Sequence, residues 1–364
     1  MKREDGKYAF ASHFDPATGF YCRTGVLDEN GHDTGVDPFM AEFPELLDIG
    51  VMGHCAHGLS GECARAGIQC YQSGATVHQD NMALDDFRWI VDQSRGRVFQ
   101  FALGGRGDPE LHSDFEEMLA YSRDNGIVPN LTTSGFLLDG KRAALIAKYC
   151  GAAAVSWYRT EHTLRAIDLL LQAGVRTNIH FLLGGDTVDE AIGLLQGDGL
   201  PQGVNRVVFL LFKPVGQGRQ DNVLVPDDSR VATFFRLMDT DRGLRIAGFD
   251  SCSVPAIINH TSVIDRNAFD TCEGARFSAY ITPDMKLLPC SFDQEMRWAF
   301  DLRAGGASIA EGWESPGFED FRSRLRDACP HCAQRSLCMG GCPIRPEIVL
   351  CKNRHEYRAC RESA

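Results

Sequence analysis

No run of about 18 apolar residues occurs anywhere in the 364-residue sequence, which argues against a membrane-spanning helix and a membrane partner. The opening stretch MKREDGKYAFASHFDPATGFYC has no apolar core of the kind a secretory signal needs, so the chain is expected to work in the cytoplasm. Positive charge is scarce: 37 Lys and Arg stand against 49 Asp and Glu, a net charge of −12. Such a surface repels phosphate backbones, and no nucleic-acid partner is expected. Low-complexity tracts are missing too. Cysteine, by contrast, is abundant, with fourteen residues. In a reducing compartment so many thiols are expected to bind metal or do chemistry, not to pair as disulfides. Cys22 and Cys150 stand apart and Cys252 is borderline. The others form an N-terminal triplet, Cys55, Cys63 and Cys70, and a C-terminal set from Cys272 to Cys360.

Between residues 46 and 212 short β-branched or apolar runs alternate with helical patterns. The strand candidates are 46–52, 98–103, 128–133, 152–157, 177–183 and 206–212. Ser113 with Glu116, and Thr187 with Glu190, have capping-box spacing, and Gly126 and Gly174 follow helical stretches as stop signals. Strands alternating with helices predict an α/β fold of parallel, right-handed βαβ units, either a doubly wound sheet or an incomplete barrel. After about residue 248 the chain turns to loops rich in Pro, Gly and Cys, expected to be stapled by metal for want of a large core of its own. The division expected is 1–45 as an N-terminal extension, 46–248 as the α/β barrel and 249–364 as a metal-bearing domain.

The triplet lies in GHCAHGLSGECARAGIQCYQSG, its members separated by seven and then six residues. That is too wide for zinc-type C-x-x-C pairs, and an odd number does not make a disulfide framework. The loop is too polar for three thiols that serve only as small buried hydrophobes. Cys55 directly follows the first strand, on the sheet edge where α/β folds assemble their chemistry. A [4Fe–4S] cluster usually takes four thiolates; three leave one iron open to a small molecule. His54, His57 and His180 are expected chiefly to satisfy loop hydrogen bonds or to support the site. The GGRGDP stretch after the second strand lets backbone approach a ligand closely.

With these features the chain resembles the radical S-adenosylmethionine enzymes over residues 46 to about 250. The resemblance implies a partial (β/α)6 TIM-like barrel with S-adenosylmethionine on the triplet's cluster. It would place Gly104, Gly105, Gly107 and Asp108, with Pro109, in the family's glycine-rich motif, which contacts the methionine amino group. Tyr71, Asn130, Thr132, Ser134, Ser156, Asn178 and His180 would lie on the segments that hold the rest of the cofactor. The chain departs from the family in its triplet, usually spaced three then two, and in Gln69, where an aromatic residue normally precedes the third cysteine.

The segment CPHCAQRSLCMGGC, with Cys272 and Cys290 upstream and Cys360 downstream, resembles the SPASM extension of that family, which holds two auxiliary [4Fe–4S] clusters. Met285 stands where that extension usually has glycine. The resemblance assigns Cys272, Cys290 and Cys342 to the first cluster, for which Cys252 is a well-placed fourth ligand. It assigns Cys329, Cys332, Cys338 and Cys360 to the second and leaves Cys351 as the surplus candidate. A zinc site built from Cys329, Cys332, Cys338 and Cys342 is the alternative, but it leaves five neighbouring cysteines unexplained. The implied activity is generation of a 5′-deoxyadenosyl radical, with three clusters in all and a flavodoxin- or ferredoxin-like electron donor. The expected substrate is a peptide or protein, foremost a ribosomally made peptide that is crosslinked or oxidised. Fewer residues precede the first strand than a small domain needs, so the peptide is expected at the barrel mouth, on a partner protein, or added to a sheet edge. A small-molecule dehydrogenase or epimerase is the alternative enzyme. A non-catalytic iron–sulfur scaffold is the alternative outside catalysis, and it would have no need of the glycine-rich cradle.

Overall fold

The computed structural model describes residues 1–197 and 199–352. The first 45 residues are more than an extension. Strands β1 (Lys2–Asp5), β2 (Phe10–Phe14) and β3 (Tyr21–Arg23) form an antiparallel sheet. Its apolar side docks through Phe10 on Phe277 and Phe14 on Phe99.

The barrel strands follow: β4 (Leu46–Met52), β5 (Gln100–Gly105), β6 (Val128–Thr133), β7 (Ala153–Ser156), β8 (Thr177–Leu183) and β9 (Arg206–Leu211). All pair in parallel with their sequence neighbours, and helices cover the outside. Period-two alternation decides the faces. On β8, Ile179, Phe181 and Leu183 are buried in the main core, while Asn178, His180 and Leu182 face the barrel interior. β4, β6 and β8 have the bounds expected from sequence. β5 begins two residues later than its apolar run, because Phe99 is taken up by Phe14 and Tyr21 of the N-terminal sheet.

Gly126 and Gly174, both at positive φ, follow their helices as expected. The capping boxes do not form. Asp114, not Ser113, occupies the N-cap of the helix Phe115–Asp124, and its backbone N–H donates to the buried His112 Nδ1 at 3.1 Å. Thr187 does cap the helix Val188–Gln196, but its hydroxyl donates to Leu182 O (2.6 Å) and accepts from Gly184 N (2.9 Å). Glu190 is drawn away to Trp157 Nε1 at 2.8 Å and to Arg159.

The change of style near residue 248 does not end the sheet. β10 (Ala247–Phe249) joins β9, and β11 (Ser278–Ile281), β12 (Lys286–Leu288) and β13 (Phe300–Asp301) extend the opposite edge. β11 runs parallel to β4, with Ser278 opposite Leu46. An uncovered β4 would present unpaired backbone groups, a liability that the C-terminal segment removes. Nor does that segment lack a core. Trp313, Phe318, Phe321 and Leu325 are fully buried and belong to the same apolar cluster as Ile49, Leu103 and Phe209 of the barrel. Residues 327–352 are mostly loop, interrupted by the short helix Arg335–Cys338 and a 3-10 turn at Pro346–Ile348. Among the described residues no helix is long and apolar enough to cross a membrane.

Candidate active site

Three residues beyond the end of β4, Cys55 caps a one-turn helix, its Sγ accepting from Gly58 N at 3.2 Å. Cys63 sits on the next short helix, Glu62–Arg65, and Cys70 accepts from Gly74 N at 3.5 Å. All three thiols line one cavity of about 380 Å³ at the C-terminal ends of the barrel strands. The glycine-rich stretch Gly104–Asp108, Thr132, Ser134, Ser156, His180 and Tyr71 line it too. Burial pushes the Cys55 and Cys63 thiols up, Cys63 to about 12, and the charges of the other thiols and of Asp108 add to the shift. Three thiolates could share this space only with strong positive charge among them, such as a metal cluster supplies. Among the described residues no three His, Cys, Asp or Glu side chains close on a point where one ion could sit. Cys55, Cys63 and Cys70 are nonetheless all lining residues of this one cavity.

Gly105 and Gly107 are required by close packing against the protein itself, whereas Gly104 faces open space. A side chain at Gly107 would strike the carbonyl of His54, and one at Gly105, at φ +100°, would lie 2.7 Å from the Gly50 backbone. At Gly104 the nearest atom is Asp48 Oδ1 at 3.9 Å, so the backbone there faces open space. Asp108 is committed to the wall: Ser134 donates to it through both N and Oγ, each at 2.6 Å. Pro109 opens a short 3-10 turn beside it. The neighbouring Glu110 receives the Thr133 hydroxyl, and burial raises its carboxyl to about 8. Tyr71 packs its ring 4.5 Å from Phe292.

Two expected cofactor residues face elsewhere. Asn130 and Asn178 line a second cavity, of about 360 Å³, at the opposite barrel mouth. Asn130 donates to Gln100 Oε1 and accepts from Ala152 N, both at 2.9 Å, while Asn178 accepts from Asn205 Nδ2 at 2.8 Å. Interior side chains on one strand are two residues, about 7 Å, apart. One step toward the N-terminal end therefore moves a residue from one mouth to the other. Ala102, Thr132 and His180 line both cavities and form the floor between them.

Several lining groups escaped the sequence reading. Lys213, buried at 5 % exposure, donates to Asp250 Oδ2 at 2.7 Å and to Leu211 O at 2.8 Å, and lies over the Phe292 ring. Burial alone would lower its ammonium, but the charge and hydrogen bond of Asp250 together with the charges of Cys252 and Cys342 more than offset this, and the net direction is up. Asp48 lines the triplet's cavity, and burial raises its carboxyl to about 7. Its only sequence signal is a charge in the middle of an apolar strand. A carboxyl raised in the folded state favours folding in its protonated form, so stability is lost as pH climbs from about 4 through about 7. Asp48→Asn should therefore stabilise iron-free protein at pH 8, by at most about 4 kcal/mol of unfolding free energy, seen as a raised thermal midpoint, and leave it nearly unchanged at pH 4. Equal effects at both pH values would refute the assignment.

The C-terminal thiols divide into two neighbourhoods. Cys252 is hydrogen-bonded with Cys342, and its thiol is raised by that bond and by burial. Cys272 lies within electrostatic reach of Cys252, and Cys290 within reach of both. Cys338 neighbours Cys332 and Cys351, and the Cys329 sulfur lies 3.6 Å from where a Gly340 side chain would begin. Cys342 is thus in the first group, although its sequence neighbours are in the second. Cys351, expected as surplus, stands beside the second group; Cys360 lies outside the described residues. The first group adjoins the barrel cavity, since Ser291 and Phe292 beside Cys290 line it, as does Lys213, which feels the charges of Cys252 and Cys342.

No family model matches the chain, and no curated protein matches its sequence. Solved structures do match. Streptococcus suis SuiB bound to S-adenosylmethionine aligns at TM-score 0.64 with 16% identity, covering 86% of this chain and 78% of that one. SuiB bound to its precursor peptide SuiA aligns at 0.65 with 16% identity, over 86% and 77%. anSMEcpe with bound AdoMet and the Cp18Cys peptide aligns at 0.59 with 16% identity, over 88% and 97%. The chain has the fold of these proteins: a partial α/β barrel followed by a C-terminal segment that continues its sheet.

Proposed function

We propose that the chain is a radical S-adenosylmethionine enzyme that modifies a peptide, most specifically by crosslinking or oxidising a ribosomally made one. The observation that carries this reading is the meeting of the three thiols and the glycine-rich strand end in one cavity. SuiB, which shares the fold, was solved with S-adenosylmethionine and in another structure with a precursor peptide, and anSMEcpe was solved with AdoMet and a peptide together, which supports the cofactor and the substrate class. In this reading Cys55, Cys63 and Cys70 hold the first [4Fe–4S] cluster, on the division 46–248. Cys252, Cys272, Cys290 and Cys342 hold an auxiliary cluster on 249–364. Cys329, Cys332 and Cys338 hold another, completed by Cys360 as the resemblance implies. When bound, S-adenosylmethionine and its cluster supply a 5′-deoxyadenosyl radical.

The chain's own residues do the rest. Gly104 and Gly105 leave backbone exposed to the cofactor, Asp108 fixes the Ser134 strand end, and Leu182, Leu210, Phe212 and Phe292 give the cavity a largely apolar wall that keeps water from a reactive centre. An electron donor of the flavodoxin or ferredoxin type, and a cytoplasmic location suited to a chain with fourteen cysteines, complete the proposal. The test is anaerobic reconstitution of the full chain. About twelve iron atoms per chain and release of 5′-deoxyadenosine from S-adenosylmethionine under a low-potential reductant are expected. Reconstituted protein that leaves S-adenosylmethionine intact would overturn the reading.

A further inference from the structure

His57 lies inside the triplet loop, two residues after Cys55, and is only 1% exposed. Its Nδ1 is 3.1 Å from the Cys63 sulfur. The ring is gripped on several sides. It stacks on Tyr158 at 5.4 Å and 8° between planes, tilts against Phe136 at 4.9 Å, and meets His162 edge-on at 5.0 Å. Its Nε2 is buried with no hydrogen-bond partner among the described residues. Leaving such a nitrogen unpaired is unfavourable, so the fold accepts a penalty to hold the imidazole with Nδ1 at the sulfur. A thiolate bound to iron carries no proton. Without iron the Cys63 S–H can donate to Nδ1; once the sulfur is bound to iron, two lone pairs at this distance would repel, and the contact stays favourable only if Nδ1 bears the hydrogen.

Resting on the assignment of the triplet as a cluster site, we propose that His57 is a positioning residue whose Nδ1–H donates to the Cys63 thiolate and makes the cluster easier to reduce. Hydrogen bonds to the ligating sulfurs are among the factors that set iron–sulfur potentials, because they withdraw electron density from the thiolate. The aromatic box has a second consequence: the ring cannot rotate away, so the effect is built into the loop. This contact depends on the long gap between Cys55 and Cys63, which gives the chain room to fold the imidazole back onto the second thiol.

The test uses the full reconstituted chain under anaerobic conditions. The triplet's cluster is identified as the EPR signal that changes on adding S-adenosylmethionine, and its midpoint potential is titrated in wild type, His57→Phe and His57→Asn. Phe fits the aromatic box without a donor, whereas the Asn amide nitrogen falls near the position of Nδ1. His57→Phe should lower the potential by about 59 mV, a tenfold shift in a one-electron equilibrium, and His57→Asn should restore most of the difference. Equal potentials in wild type and the Phe variant would overturn the proposal, as would an Asn variant as low as Phe. If the Phe variant holds no cluster, wild type with ¹⁵N-labelled histidine decides: pulsed EPR should show a nitrogen coupling that His57→Asn removes, and its absence overturns the proposal. If wild type itself gives no signal that responds to S-adenosylmethionine, the assignment of the triplet fails and this inference with it, a result that iron counts reveal separately.

Discussion

Replacing Cys55, Cys63 and Cys70 together with Ala is expected to reduce 5′-deoxyadenosine formation to background while about eight of twelve iron atoms remain. The first half follows from ligand count, because a cluster with one open iron has no thiolate to spare. The second follows from geometry. The triplet's sulfurs face the barrel cavity, whereas the auxiliary thiols lie in two other neighbourhoods on the C-terminal segment. The substitutions are also mild for the fold. Each removes one sulfur from a cavity wall, and the core beneath, built on Ile49, Val51 and Leu103, is untouched. Retained auxiliary iron, measured with inorganic sulfide, then serves as the check that the variant has folded. Cleavage of S-adenosylmethionine surviving in this variant would remove the triplet as the site of radical formation.

The other large effect concerns Cys342, for which sequence position and spatial position disagree. It closes the CPHCAQRSLCMGGC block and would complete a four-cysteine site there, yet its sulfur meets Cys252. Cys342→Ala should lose about four iron atoms, one cluster's worth, because a thiolate-held cluster in a loop-built site does not outlast a missing ligand. The decisive measurement is a pair of double variants read as a cycle. Cys252→Ala with Cys342→Ala should lose no more iron than either change alone, since both remove the same cluster. Cys338→Ala with Cys342→Ala should lose about eight. The reverse pattern would return Cys342 to the block and leave Cys252 outside it.

Much of the barrel could be read directly from residue order. The runs LLDIGVM, VPNLTT and TNIHFLL are short, apolar on alternate residues and bounded by breakers, and they became strands at the bounds expected from them. That information is local: a strand's extent depends on its own residues and the turns beside them. The position of the triplet after β4 and of GGRGDP at the end of β5 followed for the same reason, since a loop's place on the sheet edge is set by the strand that leads into it.

Other features depended on contacts between distant parts of the chain, and residue order does not encode these in any short window. Which mouth of the barrel a β6 residue serves depends on how the strand is staggered against its neighbours: Asn130 lines only the far cavity, whereas Thr132 reaches both. The pairing of β11 with β4 joins residues more than two hundred positions apart, so the sheet continues where the sequence changes character. The meeting of Lys213 with Asp250, and of Cys252 with Cys342, is likewise made by packing. The kinds of chemical group available were plain in the sequence. Which of them share a cavity was decided by the tertiary structure, because strand stagger and long-range pairing set the distances between side chains that the chain itself holds far apart.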